Sequence, residues 1–244
     1  MVFGIGRAFK KRLKKNASEK FDYFGDNIAV RKKNLSFMED EEFSRAWSKA
    51  VEGNRPAWGG RYKDVRWRAH TAVWAAKHGL KLEGDFVECG VFLGLLSLTI
   101  CHSLDFSKIE KNFYLFDTFE GIPDDGREAI REQNKIYFDC FEIAKRNFSP
   151  FPNAKLIKGA LPGTLKLAPI EKISYLSIDL NHAKYEKEVI SELWGRVTSS
   201  AIILIDDYAF ESNEEQYEMW NDFASSKSCS ILTLPTGSGL LIKP

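Results

Sequence analysis

Short apolar runs alternate with helical patterns along most of this chain. Each run is bounded by glycine, proline or acidic residues, which is typical of buried strands, while the segments between them repeat their apolar residues at helical spacing. Strands are predicted at 86–89, 113–119, 155–159, 173–179 and 201–208. Helices are predicted at 65–78, 95–102, 138–148, 184–193 and 213–226. Two last runs, at 230–235 and 239–243, predict a closing hairpin, so we expect an α/β sheet with helices on both faces.

The first 55 residues differ from the rest, and we expect them to form an appendage to a domain spanning 56–244. Apolar residues at roughly helical spacing in 1–13 predict a short amphipathic helix, with a membrane surface, a partner chain or a solvated tail as alternatives. A second helix is predicted over 36–52, capped by Ser36. The helix over 65–78 is expected to end at a Gly79 cap and to pack Trp67, His70, Thr71 and Trp74 against the sheet; a ligand-facing Trp67 or Arg68 is the alternative.

The stretch 84–97 predicts a strand, a tight glycine turn and the start of an apolar helix. Ligands bind at such turns in open α/β sheets, and a helix start favours a carboxylate or phosphate. Glu88 stands where a dinucleotide fingerprint has its first glycine, and a carboxylate there suits an ammonium group rather than a pyrophosphate. S-adenosylmethionine (SAM) therefore fits the turn better than NAD; the alternative is that Gly90 and Gly94 only permit close packing.

Acidic residues end several of the predicted strands. Asp117 ends the second strand, where ribose hydroxyls are bound in nucleotide folds; the alternative is that it caps the following turn. Gly159-Ala160 at the end of the third strand would let an adenine ring lie close. Asp179, Asp206 and Asp207 supply oxygen ligands of the kind that Mg²⁺ or another hard divalent cation prefers. Adjacent strand residues point to opposite faces, so Asp206 and Asp207 share an ion only if the backbone bends there.

Candidate catalytic residues are Asp179 and His182. His182 follows Asp179 by three residues and is predicted to be a general base or a ligand, with a surface histidine at a helix start as the alternative. The polar connection 124–150 is predicted to act as a lid or an acceptor-binding element. Weaker base candidates lie in it and just before it. They are Glu120, Glu128, Tyr137 and Asp139.

Composition narrows the class of protein. The net charge of the 244 residues is +1, which disfavours nucleic acid as a partner, although the first twenty residues hold seven basic side chains against one acid. The four cysteines show neither a C-x-x-C pair nor a zinc spacing, so we expect reduced thiols and a cytoplasmic protein. No apolar run reaches the length of a transmembrane segment.

Three blocks of sequence, in order, resemble one known family. They are Phe86-Val-Glu-Cys-Gly-Val, Phe116-Asp-Thr-Phe-Glu-Gly-Ile-Pro and Ile205-Asp-Asp-Tyr. They are similar to the macrocin O-methyltransferases of the TylF/MycF type, from about Trp58 to the C-terminus. The resemblance implies a Rossmann-like, seven-stranded, mostly parallel sheet, SAM as methyl donor, Mg²⁺ bound by Asp179, Asp206 and Asp207, and assembly into a homo-oligomer.

The turn, the strand ends and the resemblance together give a predicted set of SAM contacts. The set is Glu88, Cys89, Gly90, Val91, Gly94, Ser97, Asp117, Thr118, Phe119, Gly159, Ala160 and Asp179. Two departures concern the acceptor: the family continues Asp-Gly-Asp-Leu-Tyr-Glu-Ser where this chain has Asp179-Leu-Asn-His, and 120–150 lacks the histidine of the macrolide-sugar enzymes.

We therefore expect a SAM- and Mg²⁺-dependent O-methyltransferase for a hydroxyl of a sugar-like, natural-product or glycan acceptor. The alternatives are a metal-independent N-methyltransferase, a non-catalytic SAM-binding or oligomerising module, and a nicotinamide oxidoreductase, which Glu88 opposes.

Overall fold

A seven-stranded sheet forms the centre of the protein. The computed structural model describes residues 21–58, 63–124 and 126–244, and the helix predicted over 1–13 lies outside them. The strands of the sheet are β3 (Asp85–Cys89), β4 (Phe113–Asp117), β5 (Ala154–Lys158), β6 (Ile173–Ile178), β7 (Val197–Ile205), β8 (Leu232–Thr233) and β9 (Gly239–Ile242). Their order is β5-β4-β3-β6-β7-β9-β8, with β9 antiparallel to both neighbours and the other pairs parallel.

Helices cover both faces of the sheet because successive strand residues point to opposite sides. The helices are α1 (Glu41–Asn54), α2 (Arg66–Gly79), α3 (Leu95–Ser103), α4 (Glu128–Gln133), α5 (Phe141–Phe148), α6 (Ala183–Leu193) and α7 (Glu214–Ser226). Phe86 and Tyr175 belong to the apolar cluster under α1, α2 and α3. Val87 and Leu176, one residue further along each strand, belong to the cluster under α6 and α7.

The predicted fold class is confirmed, while three local details are wrong. The second predicted helix begins at Glu41 instead of 36, because Asp40 caps it by accepting from the Phe43 N–H at 2.8 Å. Gly79 is the last residue of α2 rather than a left-handed cap; a Cβ there would lie 2.6 Å from the Ser174 carbonyl oxygen, so close packing on β6 requires the glycine. The buried face of α2 consists of its alanines and Val73, and Trp74 is 53% exposed.

A two-stranded hairpin precedes α1 and has no counterpart in the predicted elements. β1 (Tyr23–Gly25) pairs antiparallel with β2 (Ile28–Val30). The two residues between them, Asp26 and Asn27, have φ values of 50° and 59°, as a type I′ turn requires. Tyr23 is buried, and its hydroxyl donates to the Asp64 carbonyl oxygen at 3.0 Å, so the hairpin packs against the loop before α2.

None of the helices in the described residues has both the length and the apolarity needed to span a bilayer.

Candidate active site

The glycine turn after β3 lies where the strand order reverses, between β3 and β6. Gly90 has a φ of +91°, and a Cβ on it would lie 1.8 Å from the Asp179 carbonyl oxygen. The Gly90 N–H donates to the Phe116 carbonyl oxygen at 2.8 Å, and the Asp179 N–H donates to that of Cys89 at 2.8 Å. The carboxyl ends of β3, β4 and β6 are therefore held together around a residue that must be glycine, at the switch point where open α/β sheets bind ligands.

Two adjoining cavities open at this edge of the sheet. The first, which we call the β3–β4 crevice, is bordered by the turn 90–92, Asp117, Thr118, the 121–123 loop, Gly159 and the start of the β6–α6 loop. The second, the acid-rim cavity, has a volume of about 360 Å³, within the range of small-molecule sites. Its lining includes Arg68, Glu88, Ser177, Asp206 and Asp207. Gly90, Tyr137 and Asp179 border both cavities.

Asp117 fixes the wall of the crevice. One carboxylate oxygen accepts from the backbone N–H groups of Val91 and Phe92 at 2.6 and 2.7 Å, and the other accepts from the Phe119 N–H at 2.6 Å. These two amide groups of the turn are thus already paired within the protein. The carboxylate also holds Phe92 at its φ of 50°, a left-handed value that needs such support.

Glu88 is a buried carboxyl group with one unsatisfied oxygen. Its Oε1 accepts from the Ser97 hydroxyl at 3.1 Å, while Oε2 has no hydrogen-bond partner within the protein and the residue is 5% exposed. Burial raises the pKa of Glu88 to about 8, the Ser97 hydrogen bond opposes the shift, and the charges of Asp117 and Asp206 add to it. An unpaired buried oxygen that borders a cavity can accept a hydrogen bond from a donor group of a ligand.

The predicted SAM contacts divide into two groups. Gly90, Val91, Asp117, Thr118, Gly159 and Asp179 line the β3–β4 crevice, and Glu88 lines the acid-rim cavity. The remaining predicted contacts, Cys89, Gly94, Ser97, Phe119 and Ala160, line neither cavity.

Packing explains why this second group lies elsewhere. The Cys89 and Phe119 side chains are in the core, and Ser97 is fully buried beneath Glu88. A Cβ on Gly94 would lie 2.5 Å from the Phe148 ring, so that glycine gives room to an aromatic side chain. Ala160 is exposed and its carbonyl oxygen accepts from the Thr164 N–H.

Asp206 and Asp207, which we call the acid pair, both face the guanidinium group of Arg68. The Arg68 Nη1 donates to Asp206 Oδ2 at 2.7 Å and to Asp207 Oδ1 at 2.9 Å. β7 ends at Ile205, and Asp207 has a φ of 51°, so the backbone bends in the way that lets adjacent acids share one cation. The other oxygen of Asp206 accepts from the Ser238 hydroxyl at 3.0 Å.

The same guanidinium group binds the N-terminal hairpin. Arg68 Nε donates to Asp26 Oδ2 at 2.7 Å, and Nη2 donates to Asp26 Oδ1 at 3.1 Å, which is the two-pronged geometry of a strong arginine–carboxylate pair. The Phe210 ring lies 4.9 Å from the guanidinium carbon. Arg68 was noted in the sequence only as an alternative ligand-facing residue, and Asp26 was missed. The dipeptide Asp26-Asn27 between apolar residues is the turn signal that would have located it.

The three predicted metal ligands are chemically suitable but are not arranged around a common empty position. Asp179 Oδ1 accepts from the Asn181 side chain at 3.0 Å, and burial followed by the charges of Asp206 and Asp207 raises the pKa of Asp179 well above its ordinary value. Within the described ranges, no three His, Cys, Asp or Glu side chains form a group that could hold a metal ion. The carboxylate set fits a hard divalent cation by its chemistry, while Arg68 takes the facing oxygens of two of its members.

Glu186 anchors the loop that carries Asp179 and His182. It is fully buried and accepts from Trp220 Nε1 at 2.7 Å, Gln216 Nε2 at 2.9 Å and the Leu180 N–H at 3.2 Å. Burial raises its pKa to about 7, against the effect of these donors. His182 is 8% exposed and its ring packs 4.2 Å from that of Tyr185, which lines the β3–β4 crevice. The histidine therefore touches the crevice wall without lining either cavity.

Tyr137, in the connection 124–150, borders both cavities. Its ring packs edge-on against Phe92 at 5.2 Å. Burial, and next the charge of Asp179, raise the pKa of Tyr137 above its ordinary value, so its hydroxyl stays protonated and can donate a hydrogen bond.

Comparison with known proteins agrees with this geometry. The profile of the Macrocin-O-methyltransferase (TylF) family matches residues 68–230. A stretch of 145 residues is 26% identical to demethyldecarbamoylnovobiocin O-methyltransferase of Streptomyces niveus and covers 53% of this chain; the chain thus spans 55% of that relative's length.

Solved structures share the fold. The O-methyltransferase NovP superimposes with a TM-score of 0.68 at 18% identity, over 86% of this chain and 99% of NovP. The calicheamicin methyltransferase CalS11 superimposes with a TM-score of 0.60 at 16% identity, over 87% of this chain and 94% of CalS11. The matched residues 68–230 hold the turn, Asp117 and the acid pair, and the chain belongs to the macrocin O-methyltransferase family.

Proposed function

We propose that the protein transfers a methyl group from SAM to a hydroxyl group of a small-molecule or glycan acceptor. One observation carries the proposal: the β3–β4 crevice and the acid-rim cavity meet at Gly90, Tyr137 and Asp179. A donor in the first cavity and an acceptor in the second would bring their reacting atoms together at that junction, and such positioning supplies much of the rate of a group transfer.

The crevice and the adjoining Glu88 suit the parts of SAM. Asp117 is proposed to face the ribose from its position on the crevice wall, and Glu88 Oε2, on the acid-rim side of the junction, can accept from the ammonium group. Gly159 leaves the wall without a side chain where the adenine ring is proposed to lie.

The acid-rim cavity is proposed to hold the acceptor. As the acceptor oxygen bonds to the methyl carbon, the carbon–sulfur bond breaks and the hydroxyl proton must leave. Asp179 borders both cavities and is the proposed catalytic side chain, with His182 as a second proposed participant through its contact with Tyr185. Asp179, Asp206 and Asp207 would hold a divalent cation, which would supply a positive charge that acidifies a hydroxyl group.

The acceptor is proposed to be a sugar-like or natural-product hydroxyl compound. The Streptomyces niveus relative is named as an O-methyltransferase of demethyldecarbamoylnovobiocin, and CalS11 is named as a calicheamicin methyltransferase. Assembly into a homo-oligomer is part of the same proposal, and light scattering of the purified full-length chain would test it.

Two measurements test the methyl transfer. Calorimetry should show SAM and S-adenosylhomocysteine binding, and radiolabel from the SAM methyl group should move to at least one compound in a panel of glycosides and nucleotide sugars. Stabilisation by NAD with no binding of SAM would contradict the donor assignment. Binding of SAM with no transfer to hydroxyl or amine acceptors would favour a SAM-binding module without chemistry.

Metal-independent methyl transfer is a second candidate, and Arg68 is the observation that favours it. The guanidinium group already provides the acid pair with a positive charge at hydrogen-bond distance. Methyl transfer that persists unchanged in excess chelator would support this candidate, and loss of transfer with recovery on added Mg²⁺ would exclude it.

A further inference from the structure

Arg68 and a divalent cation require the same oxygens of the acid pair. The proposed function assigns a cation to Asp206 and Asp207, and the inference below rests on that assignment. Asp206 Oδ1 is engaged by the Ser238 hydroxyl, which leaves Oδ2 to face the cavity. That oxygen and Asp207 Oδ1 are the two acceptors of Arg68 Nη1, so a cation held by both carboxylates would compete with this nitrogen.

The guanidinium group is two-sided. Its Nε–Nη2 edge is paired with Asp26, while Nη1 alone bonds to the acid pair. Arg68 can therefore lose the acid pair and keep a two-pronged partner, with the Phe210 ring against its face. An arginine without Asp26 would have no second carboxylate and would be left unpaired in a largely buried position, which is costly.

The charges of the cluster favour such an exchange. The three carboxylates outnumber the one guanidinium group by two negative charges when all are ionised. With Arg68 neutralised by Asp26, the two remaining charges match those of a divalent cation. The side chains of Arg68 and Asp26 are only 13% and 7% exposed, so solvent screens their interaction weakly.

We propose that Arg68 is a built-in counter-ion that a divalent cation must displace from Asp206 and Asp207, and that Asp26 holds Arg68 once it is displaced. The N-terminal hairpin thereby sets the affinity of the proposed cation site. Two substitutions then act in opposite directions. Loss of the Arg68 charge strengthens cation binding because a competitor is removed, and loss of the Asp26 charge weakens it because the displaced arginine has no partner.

The test is Mn²⁺ binding to the full-length protein, measured by electron paramagnetic resonance and calorimetry without SAM or acceptor. Arg68→Met should tighten the Kd for Mn²⁺ at least about tenfold, and Asp26→Asn should weaken it about threefold to tenfold, as expected for close charge pairs. In the double variant, Asp26→Asn should have no further effect. Arg66→Met is the matched control, because Arg66 pairs with Asp64 and not with the acid pair.

Each outcome of the Mn²⁺ binding measurements supports or overturns the proposed competition. Mn²⁺ binding that is equal in wild type, Arg68→Met and Asp26→Asn overturns the competition and leaves the cation site intact. Mn²⁺ binding to Arg68→Met but not to wild type supports the competition, and it means that Arg68 binds the acid pair more tightly than Mn²⁺ does. Absence of binding in all variants overturns both the competition and the cation assignment, while the radiolabel assay still tests methyl transfer. If Arg68→Met does not fold, Arg68→Lys, a point charge unable to bridge three carboxylates, should give an intermediate tightening.

Discussion

The β3–β4 crevice and the acid-rim cavity share a wall but are held together by different forces. In the crevice, Asp117 accepts from three backbone N–H groups of its own and the neighbouring turn. In the acid-rim cavity, ion pairs join Asp26, Arg68, Asp206 and Asp207, and the two members of a pair lie as many as 139 residues apart. The crevice is therefore preorganised by the backbone, while the acid rim depends on its charge balance and responds to cations.

The largest effect is expected for Asp206, which lines the acid-rim cavity but not the β3–β4 crevice. Its substitution therefore separates the two regions. Asp206→Asn should lower kcat for methyl transfer at least about 100-fold, because the acceptor loses the group that positions it or its cation. The Kd for SAM should change less than about threefold, since the crevice keeps its hydrogen bonds. Initial rates and calorimetry measure the two effects, and Asp222→Asn on the exposed surface of α7 is the control. An equal loss of SAM affinity would show that the two regions act as one.

Gly90→Ala should damage both regions together, because Gly90 is where they touch. The new Cβ would overlap the Asp179 carbonyl oxygen at 1.8 Å and force a left-handed alanine, so we expect a loss of at least about 2 kcal/mol in the free energy of unfolding. Urea denaturation measures it. Gly195→Ala is the matched control, because nothing lies within 4 Å of a Cβ there, and it should change stability by less than about 0.5 kcal/mol. A Gly90→Ala protein of normal stability would mean that the three strand ends are less closely packed than described.

Glu88→Gln should show the reverse of the Asp206 pattern. The amide keeps the shape and an acceptor for Ser97 but loses the charge that suits an ammonium group, so SAM affinity should fall about tenfold to 100-fold. The rate at saturating SAM should stay within about threefold of wild type, since the proposed partner of Glu88 is the ammonium group of the donor and not the reacting hydroxyl group. Calorimetry and saturation kinetics give both numbers. A large fall in kcat with unchanged SAM affinity would place Glu88 with the acceptor.

The sequence predicted the crevice better than the acid rim for a physical reason. The turn at Gly90 and the acid at Asp117 belong to a compact strand–turn–helix pattern, in which local spacing fixes the neighbours. The closing hairpin follows from the same kind of local pattern. The partner of the acid pair does not, because Arg68 lies on a helix whose ligand-facing residue is decided by tertiary packing. The alanines of α2 face the sheet and Trp74 points outward, so the prediction based on the aromatic residues assigned the wrong buried face to that helix.

Glu186 illustrates a second limit of the sequence. It shares a helical face with Val189, Ile190 and Leu193, and this acid is fully buried there because Trp220 and Gln216 of α7 and the Leu180 amide of the loop supply donors. No local pattern reveals such a convergence. The hairpin of β1 and β2 is a different case. Its Asp26-Asn27 turn is a local signal for a hairpin, but the prediction of an appendage did not use it.

The smallest effect concerns pH and would sharpen the assignment of Glu88. Its pKa is about 8 in the free protein, so the carboxyl group carries a proton at pH 7. A bound ammonium group favours the carboxylate, and binding below pH 8 must therefore release this proton. SAM affinity should rise with pH up to about 8, by at most about tenfold per unit, and then level off as Glu88 ionises in the free protein too. The amino group of SAM titrates in the same range, so the informative quantity is the ratio of wild-type to Glu88→Gln affinity. Calorimetry in buffers of different ionisation enthalpy should detect proton release by wild type in excess of the variant. Parallel pH profiles for the two proteins would mean that Glu88 does not meet the ammonium group, and the preorganised crevice would then owe its charge preference to Asp117 and Asp179 instead.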